Sequence, residues 1–391
     1  MAQQTKGLVI VGGGPAGLSA LRAYREAGAG GPVCMVSEDS VLPYERPPLS
    51  KEFLRGEVAA GAIAMQDAEF WRSADASVRL LTRAVALDAA ARVVTLSTGE
   101  RLGFDACVLA TGAAPARLPV PGGGHPAVLR LRSLVQAHAL RQAADRADTA
   151  VVVGSGFIGC EAAASLAARG LQVTLVTQER LPQQERLGAA AGRRIAGWLR
   201  DSDVELVVGA RVERIVAGHR VELADGPAVT GDLVLAAAGV TPRAGLADTA
   251  GLDVRAGRVV VDAHMRTSAP GVLAAGDVAL AHNATAGRAL VVEHWGEALA
   301  MGVVAGGTAA GSDEAWAEVP GFWSDIGGRV LKYVAWGDGF DDARLVGHDA
   351  GAFTVWYGRR GVTVGALTHE ADDDYARGRE LVEAAAPLPD P

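Results

Sequence analysis

Apolar positions along this chain fall into two recurring patterns. Short unbroken apolar runs, such as Leu8–Val11 and Ala150–Val153, read as strands buried on both faces. Each run ends in a glycine-rich turn, followed by apolar positions at helical spacing that close at Gly28 in one case and Gly170 in the other. A second short run follows each helix, VCMV (Val33–Val36) and VTLV (Val173–Val176). The chain thus holds two βαβ units of the nucleotide-binding type, the second a near copy of the first.

Between the copies, VVTLSTGERLGFDACVLATG (Val93–Gly112) alternates like a β-ribbon before a buried strand, and VELADGPAVTGDLVLAAAG (Val221–Gly239) repeats this after the second copy. The strand RVVVDAHMRTS and the run GVLAAGDVA (Gly271–Ala279) lead into a helix expected across Val292–Gly306. From about Val319 short strands (VLKYVAW, AFTVWYG, VTVGALT) and a final helix, DDDYARGRELVEAAA, predict a third, smaller α/β domain behind a linker near GGTAAGSDEAW. The Pro-rich tail APLPDP is expected to fray.

Composition narrows the classes. A chain of 391 residues predicts two or three domains, and 49% apolar with 21% charged residues argues against a largely disordered one. The 50 glycines lack the period of a collagen. A net charge of -8 without basic runs makes nucleic acid and membrane poor partners. The three cysteines, Cys34, Cys107 and Cys160, form no CxxC or CxxxxC, so neither a redox dithiol nor a metal site is expected. Cys160 lies early on a helix, where the dipole can lower a thiol pKa, but with no second cysteine nearby a structural role is preferred. MAQQTKG lacks the basic region and apolar core of a signal peptide, and no apolar stretch approaches the roughly 18 residues that span a bilayer, so a cytoplasmic protein is expected.

Gly12, Gly14 and Gly17 form GxGxxG between strand and helix, where glycine permits the tight turn and the approach of a pyrophosphate to the helix N-terminus. Glu38, at the end of the next strand, is placed to accept ribose hydroxyls. Gly154, Gly156 and Gly159 repeat the pattern, and two such sites favour a flavin plus a nicotinamide, since hydride transfer needs two carriers. After VTLV the chain reads Thr177, Gln178, Glu179, Arg180, so the acid comes late. Either Glu179 reaches a 2′-hydroxyl, or Arg180 and Arg186 pair with a 2′-phosphate, or all are solvated loop charges.

Four further segments carry a resemblance: YERPPLSK (Tyr44–Lys51), TSAPGVLAAGD (Thr267–Asp277), VEHW (Val292–Trp295) and PGFWSD (Pro320–Asp325). Together, in order and over nearly the whole chain, they make the sequence resemble the FAD-dependent ferredoxin-reductase branch of the pyridine-nucleotide-disulfide oxidoreductases. That branch contains the reductase components of bacterial multicomponent oxygenases and cytochrome P450 systems. The resemblance implies an α/β, glutathione-reductase-like fold with two Rossmann-type dinucleotide-binding domains plus a small C-terminal α/β interface domain. The expected boundaries are 1–112 and 239–315 for the two parts of the FAD-binding domain, 113–238 for the NAD(P)-binding domain and 316–391 for the interface domain.

Carried over residue by residue, the resemblance implies that Asp277 holds the ribityl chain of FAD, with Gly276 letting the backbone approach; by itself, such an Asp can also be a helix N-cap. Arg46 and Lys51 are expected beside the isoalloxazine, although a surface lysine is the plain alternative. The other lysines are Lys6 and Lys332. Glu161 matches an acid near the nicotinamide, paired with Lys51, and an acid early on a helix is also favoured by the dipole alone. Glu293 and Trp295 match a flavin-side segment, where Trp295 either touches flavin or packs in the core. Pro15, Ala16, Ala110, Thr111, Gly112, Arg132 and His294 complete the FAD contacts, and Phe157, Ile158, Thr177 and Gly239 those of NAD(P).

Two departures stand out: the family acid at Thr177 is missing, and the C-terminal stretch IGGRVLKYVAWGDG is rich in glycine, which implies flexibility. The expected activity is an FAD-containing, NAD(P)H-dependent ferredoxin reductase that passes electrons to a small iron–sulfur protein feeding an oxygenase or P450, as a monomer or weak homodimer. The alternatives are an NAD(P)H oxidase or rubredoxin reductase, or a redox-responsive interaction protein like apoptosis-inducing factor.

Overall fold

The computed structural model describes residues 7–390; the reading of MAQQTK, with Lys6, and the last residue of the APLPDP tail lie outside the described residues. The chain divides into two compact units, one made of the residues up to Glu45, Ala64–Ala114 and Thr241–Gly321, the other of Arg46–Ile63, Pro115–Val240 and Phe322 onward. The YERPPLSK segment is divided after Glu45, so that Lys51 and Glu161 share the second unit.

The first unit is built on a parallel sheet in the order Val272–Ala274, Ala106–Leu109, Leu8–Val11, Val33–Val36, Ala76–Arg79. Leu8–Val11 and Val33–Val36 are buried at every position, as unbroken apolar runs in a parallel sheet should be. Helix Pro15–Glu26 lies against helix Trp295–Ala309. A Cβ at Gly302 would come within 2.4 Å of the Ala16 carbonyl oxygen, and one at Gly306 within 2.1 Å of that of Ala20, so these glycines set the interhelical spacing. The predicted ribbon is present as Val93–Leu96 and Arg101–Gly103, and a further strand, Ala84–Asp88, outside the expected stretch, pairs with it.

The second unit repeats the plan with a parallel sheet in the order Val204–Val207, Gln172–Val176, Thr149–Val153, Leu233–Ala236, Val128–Leu129. Val151, Val153, Val176 and Val234 pack with Ile215 and Val221 of an adjoining antiparallel meander. Its C-terminal part is an antiparallel sheet in the order Gly321–Ile326, Arg329–Ala335, Val362–His369, Phe353–Arg359, Asp342–Gly347, covered by helix Asp372–Glu383.

Several expectations are corrected. The helix expected across Val292–Gly306 begins at Trp295, behind an extended His294, and runs to Ala309. RVVVDAHMRTS is a strand only over Arg258–Val261. GGTAAGSDEAW is no free linker: its first residues finish that helix, and Trp316, 2% exposed, donates its indole N–H to Glu297 at 2.9 Å. Gly327 and Gly328, at φ 63° and 81°, form the tight turn between two paired strands, so glycine there serves a hairpin rather than flexibility. The tail is tied down, with the Ala386 and Pro387 carbonyls accepting from Thr363 and Leu388 buried. Among the described residues, no helix is long and apolar enough to cross a membrane.

Candidate active site

In the first unit, Gly12 turns the chain at φ 129°, where a Cβ would lie 2.0 Å from the Ala110 carbonyl oxygen. Gly17 sits against the Gly12 carbonyl, 2.1 Å from its own ideal Cβ. Gly14 is the N-cap of helix Pro15–Glu26, which has no side-chain cap and no acid in its first turn, and a Cβ at Gly14 would meet nothing within 4 Å. The helix therefore starts without a side-chain cap on its first amides and with free space beside Gly14, which fits a pyrophosphate.

Glu38 follows strand Val33–Val36 and is met by Arg83 at 2.9 Å and Arg243 at 2.7 Å. Arg243 is fixed by its amide on the Gly112 carbonyl and by Thr111 Oγ1 donating to its own carbonyl, both at 2.9 Å. Asp277, buried, lies in a turn that leads into strand Ala279–Asn283 and not into a helix, so the N-cap alternative falls away. Gly276 before it, at φ 77°, brings the turn against Ala16. Arg258, buried although charged, donates to the Asp277 carbonyl and pairs with Glu293, tying the AAGD turn to the VEHW segment. Trp295, on the first helical turn beside His294, is half-buried.

In the second unit, Gly154 turns at φ 109° and a Cβ would lie 2.4 Å from the Ala237 carbonyl oxygen, while Gly159 sits against Gly154. Helix Phe157–Ala168 starts from Gly156 with no side-chain cap, no first-turn acid and open space over Gly156, the same anion-ready geometry as in the first unit. Phe157 packs edge-on to Phe322 at 4.6 Å between centroids, and Ile158 is exposed. At the end of the next strand Thr177 is buried, its Oγ1 2.8 Å from Ser155 Oγ. Ser155 also donates to Glu179 at 2.9 Å, and the Gln183 and Glu185 amides donate to the same carboxylate at 3.2 and 2.8 Å. Glu179 therefore anchors the start of the following helix, while Arg180 is exposed and Arg186 lies over the Phe157 ring. Gly239, at φ 87°, accepts from the Ala116 amide.

The second unit also holds a buried ion pair. Lys51 Nζ lies 2.9 Å from Glu161 Oε2, and each residue is 3% exposed, so Lys51 is not a surface lysine. Ser50 Oγ donates to the same oxygen at 2.5 Å, and Ser324 Oγ donates to Oε1 at 2.7 Å. Ser165 holds the Ser50 carbonyl, and the Trp323 ring centroid is 5.0 Å from Nζ. Nearby in sequence, Arg46 donates to the Arg132 carbonyl at 2.7 Å. Buried ions persist only when paired and hydrogen-bonded, and this pair meets both conditions.

Cys34, Cys107 and Cys160 are all buried and free. Burial pushes the Cys107 thiol up to about 12. It pushes Cys160 up as well, reinforced by Glu161 and Glu179, in keeping with the structural role preferred for it. Among the described residues no group of three or more His, Cys, Asp or Glu side chains is arranged to hold a metal ion. Sequence reasoning missed Arg83, Arg243, Arg258, Ser50 and Ser324; the burial of a polar residue within a quoted motif was the available signal only for the two serines.

Comparison with known proteins agrees with this geometry. The family described as pyridine nucleotide-disulphide oxidoreductase matches residues 6–302. The chain is 33% identical over 329 residues to a rubredoxin–NAD(+) reductase of Pseudomonas putida, covering 83% of this chain and 85% of the relative. It is 33% identical over 390 residues to a ferredoxin–NAD(P)(+) reductase of Sphingomonas sp, covering 97% and 93%. The crystal structure of the ferredoxin reductase for the CYP199A2 system from Rhodopseudomonas palustris matches with a TM-score of 0.92 at 29% identity, covering 98% of this chain and 95% of that one. The fold is glutathione-reductase-like. The chain belongs to the pyridine nucleotide-disulphide oxidoreductase family.

Proposed function

We propose that the chain is an FAD-dependent NAD(P)H:ferredoxin oxidoreductase whose acceptor is a small iron–sulfur protein serving an oxygenase or P450. The observation that carries this reading is the pair of bare helix N-termini, at Gly14 and Gly156, each over a glycine turn in one chain. FAD, when bound, takes up a hydride and gives up its electrons singly. The Pro15–Glu26 helix amides hold its pyrophosphate, Glu38 its ribose, Asp277 its ribityl chain, and Arg258 keeps Glu293 and the Asp277 turn in register. The Phe157–Ala168 helix receives the nicotinamide coenzyme, with Glu179 favouring NADH. Lys51 supplies a cation that favours negative charge on the reduced ring, and Glu161 holds that cation in place. On this reading residues 1–112 and 239–315 form the FAD-binding part, 113–238 the NAD(P)-binding part and 316–391 the interface part.

Similarity to a rubredoxin–NAD(+) reductase favours rubredoxin as a second acceptor class. Buried, reduced thiols are in keeping with a cytoplasmic protein, and a monomer or weak homodimer remains part of the proposal. The test is anaerobic titration of the yellow holoprotein with NADH and with NADPH, then mixing with a panel of ferredoxins and rubredoxins. Two electrons per flavin and rapid reoxidation by a ferredoxin are expected. A four-electron requirement with a thiolate-to-flavin absorption band, or reoxidation faster by oxygen than by any added protein, overturns it.

A further inference from the structure

The carboxylate of Glu161 is held at both oxygens by groups from different parts of the chain. Lys51 and Ser50, consecutive in one turn, reach Oε2, whereas Ser324, from the edge strand Gly321–Ile326 of the C-terminal sheet, reaches Oε1 at 2.7 Å. Ser324 and Ser50 are each 1% exposed. A fully buried hydroxyl has no water to turn to, so its proton is committed to Oε1. That bond fixes the rotation of the carboxylate, and the rotation decides where Oε2 presents itself to the ammonium. The neighbouring Trp323 ring covers the same ammonium at 5.0 Å, so consecutive residues of one strand meet the two partners of the pair.

We propose that Ser324 is a positioning residue for hydride transfer, acting through Glu161 to hold Lys51 and so placing the ion pair under the control of the C-terminal sheet. The inference rests on the role given to Lys51 above. A serine present only to satisfy a buried carboxylate would affect stability; a positioning serine also affects the flavin.

The test uses FAD-loaded full-length protein carrying Ser324→Ala, Ser324→Thr and, should the alanine variant not fold, the near-isosteric Ser324→Cys. Two quantities are read: the rate of flavin bleaching on anaerobic rapid mixing with NADH, and the flavin midpoint potential against a reference dye. Ser324→Ala should slow bleaching roughly three- to thirtyfold, as expected for coupled contacting residues. It should also make the potential more negative, and Ser324→Thr should restore both. In a Glu161→Gln background, Ser324→Ala should add less than about twofold, because the two changes share one route. Wild-type rate and potential in Ser324→Ala, or the same fold-loss in both backgrounds, overturns the inference. Lys51→Met run in parallel separates the failures: if it is slow while Ser324→Ala is not, only the Ser324 inference falls, and if it is as fast as wild type, the role of Lys51 falls and the inference with it.

Discussion

Lys51 Nζ is 2.9 Å from Glu161 Oε2, and both side chains are almost wholly withdrawn from water although they stand far apart in sequence. A cation so placed is paired inside the protein, where a solvent ion cannot take its place. Lys51→Met is expected to slow flavin reduction by roughly tenfold to a thousandfold, the range of preorganised electrostatic groups. Glu161→Gln should do less, since Lys51 survives. Rapid-mixing absorbance with FAD occupancy checked in each variant decides it; unchanged rates in both would reduce the pair to a structural one.

Arg258 joins the Asp277 carbonyl to Glu293 from a site only 8% exposed. Arg258→Met removes both contacts and leaves the half-buried Glu293 carboxylate without its partner, a loss of stability smaller than for a fully buried pair because water still reaches Glu293. A lowered Tm and faster loss of FAD on dilution, followed by flavin fluorescence, are expected. Retention equal to wild type would show that the AAGD and VEHW segments hold their places without it.

Coenzyme choice is expected to lie with Glu179. Glu179→Ala should raise the KM for NADH while leaving that for NADPH nearly unchanged. The same substitution frees the Gln183 and Glu185 amides, so a loss of about 1 kcal/mol of stability should accompany it. Steady-state kinetics with both coenzymes is the check. A wild-type preference for NADPH of tenfold or more would point to Arg180 or Arg186 instead.

Buried thiols give the protein an alkaline limit. Cys107, with an ordinary value of 9.0, is raised to about 12 by burial, so the folded state keeps a proton that the unfolded chain releases. Its contribution is fully present below pH 9 and is lost as pH rises towards 12, at up to about 1.4 kcal/mol per pH unit for one group. Urea midpoints at pH 8 and 10 should fall accordingly, and Cys107→Ala should flatten the decline. An unchanged slope in that variant would assign it to Cys160 or Tyr333, also raised.

The two βαβ units were legible because their signals are local: an unbroken apolar run, a glycine turn, then helical spacing within some twenty positions. The ribbons and most C-terminal strands were legible for the same reason. Asp342–Gly347 was not, because an edge strand alternating between half-buried and exposed positions carries little apolar signal. The start of helix Trp295–Ala309 was misplaced because Val292 is apolar and buried without being helical. Arg258, Arg243 and Ser324 were missed because what distinguishes them is a partner brought near only by folding. Lys51 and Glu161 were found through motifs, each of which supplied one half of the pair.

In the first sheet, Cys107 pairs in register with Val272, and helix Pro15–Glu26 waits for Gly302 and Gly306 to complete its packing. Everything from Pro115 to Val240 emerges between them and builds its own sheet meanwhile. At a ribosomal pace of roughly 5–20 residues per second, the half-made sheet stands open for on the order of ten to thirty seconds. Nascent chains that stop short of Asp277 and Arg258's partner Glu293 would carry an intact first glycine turn and yet no means of closing over a dinucleotide. The first sheet therefore receives its last strand, Val272–Ala274, only after the whole of the inserted stretch has been translated.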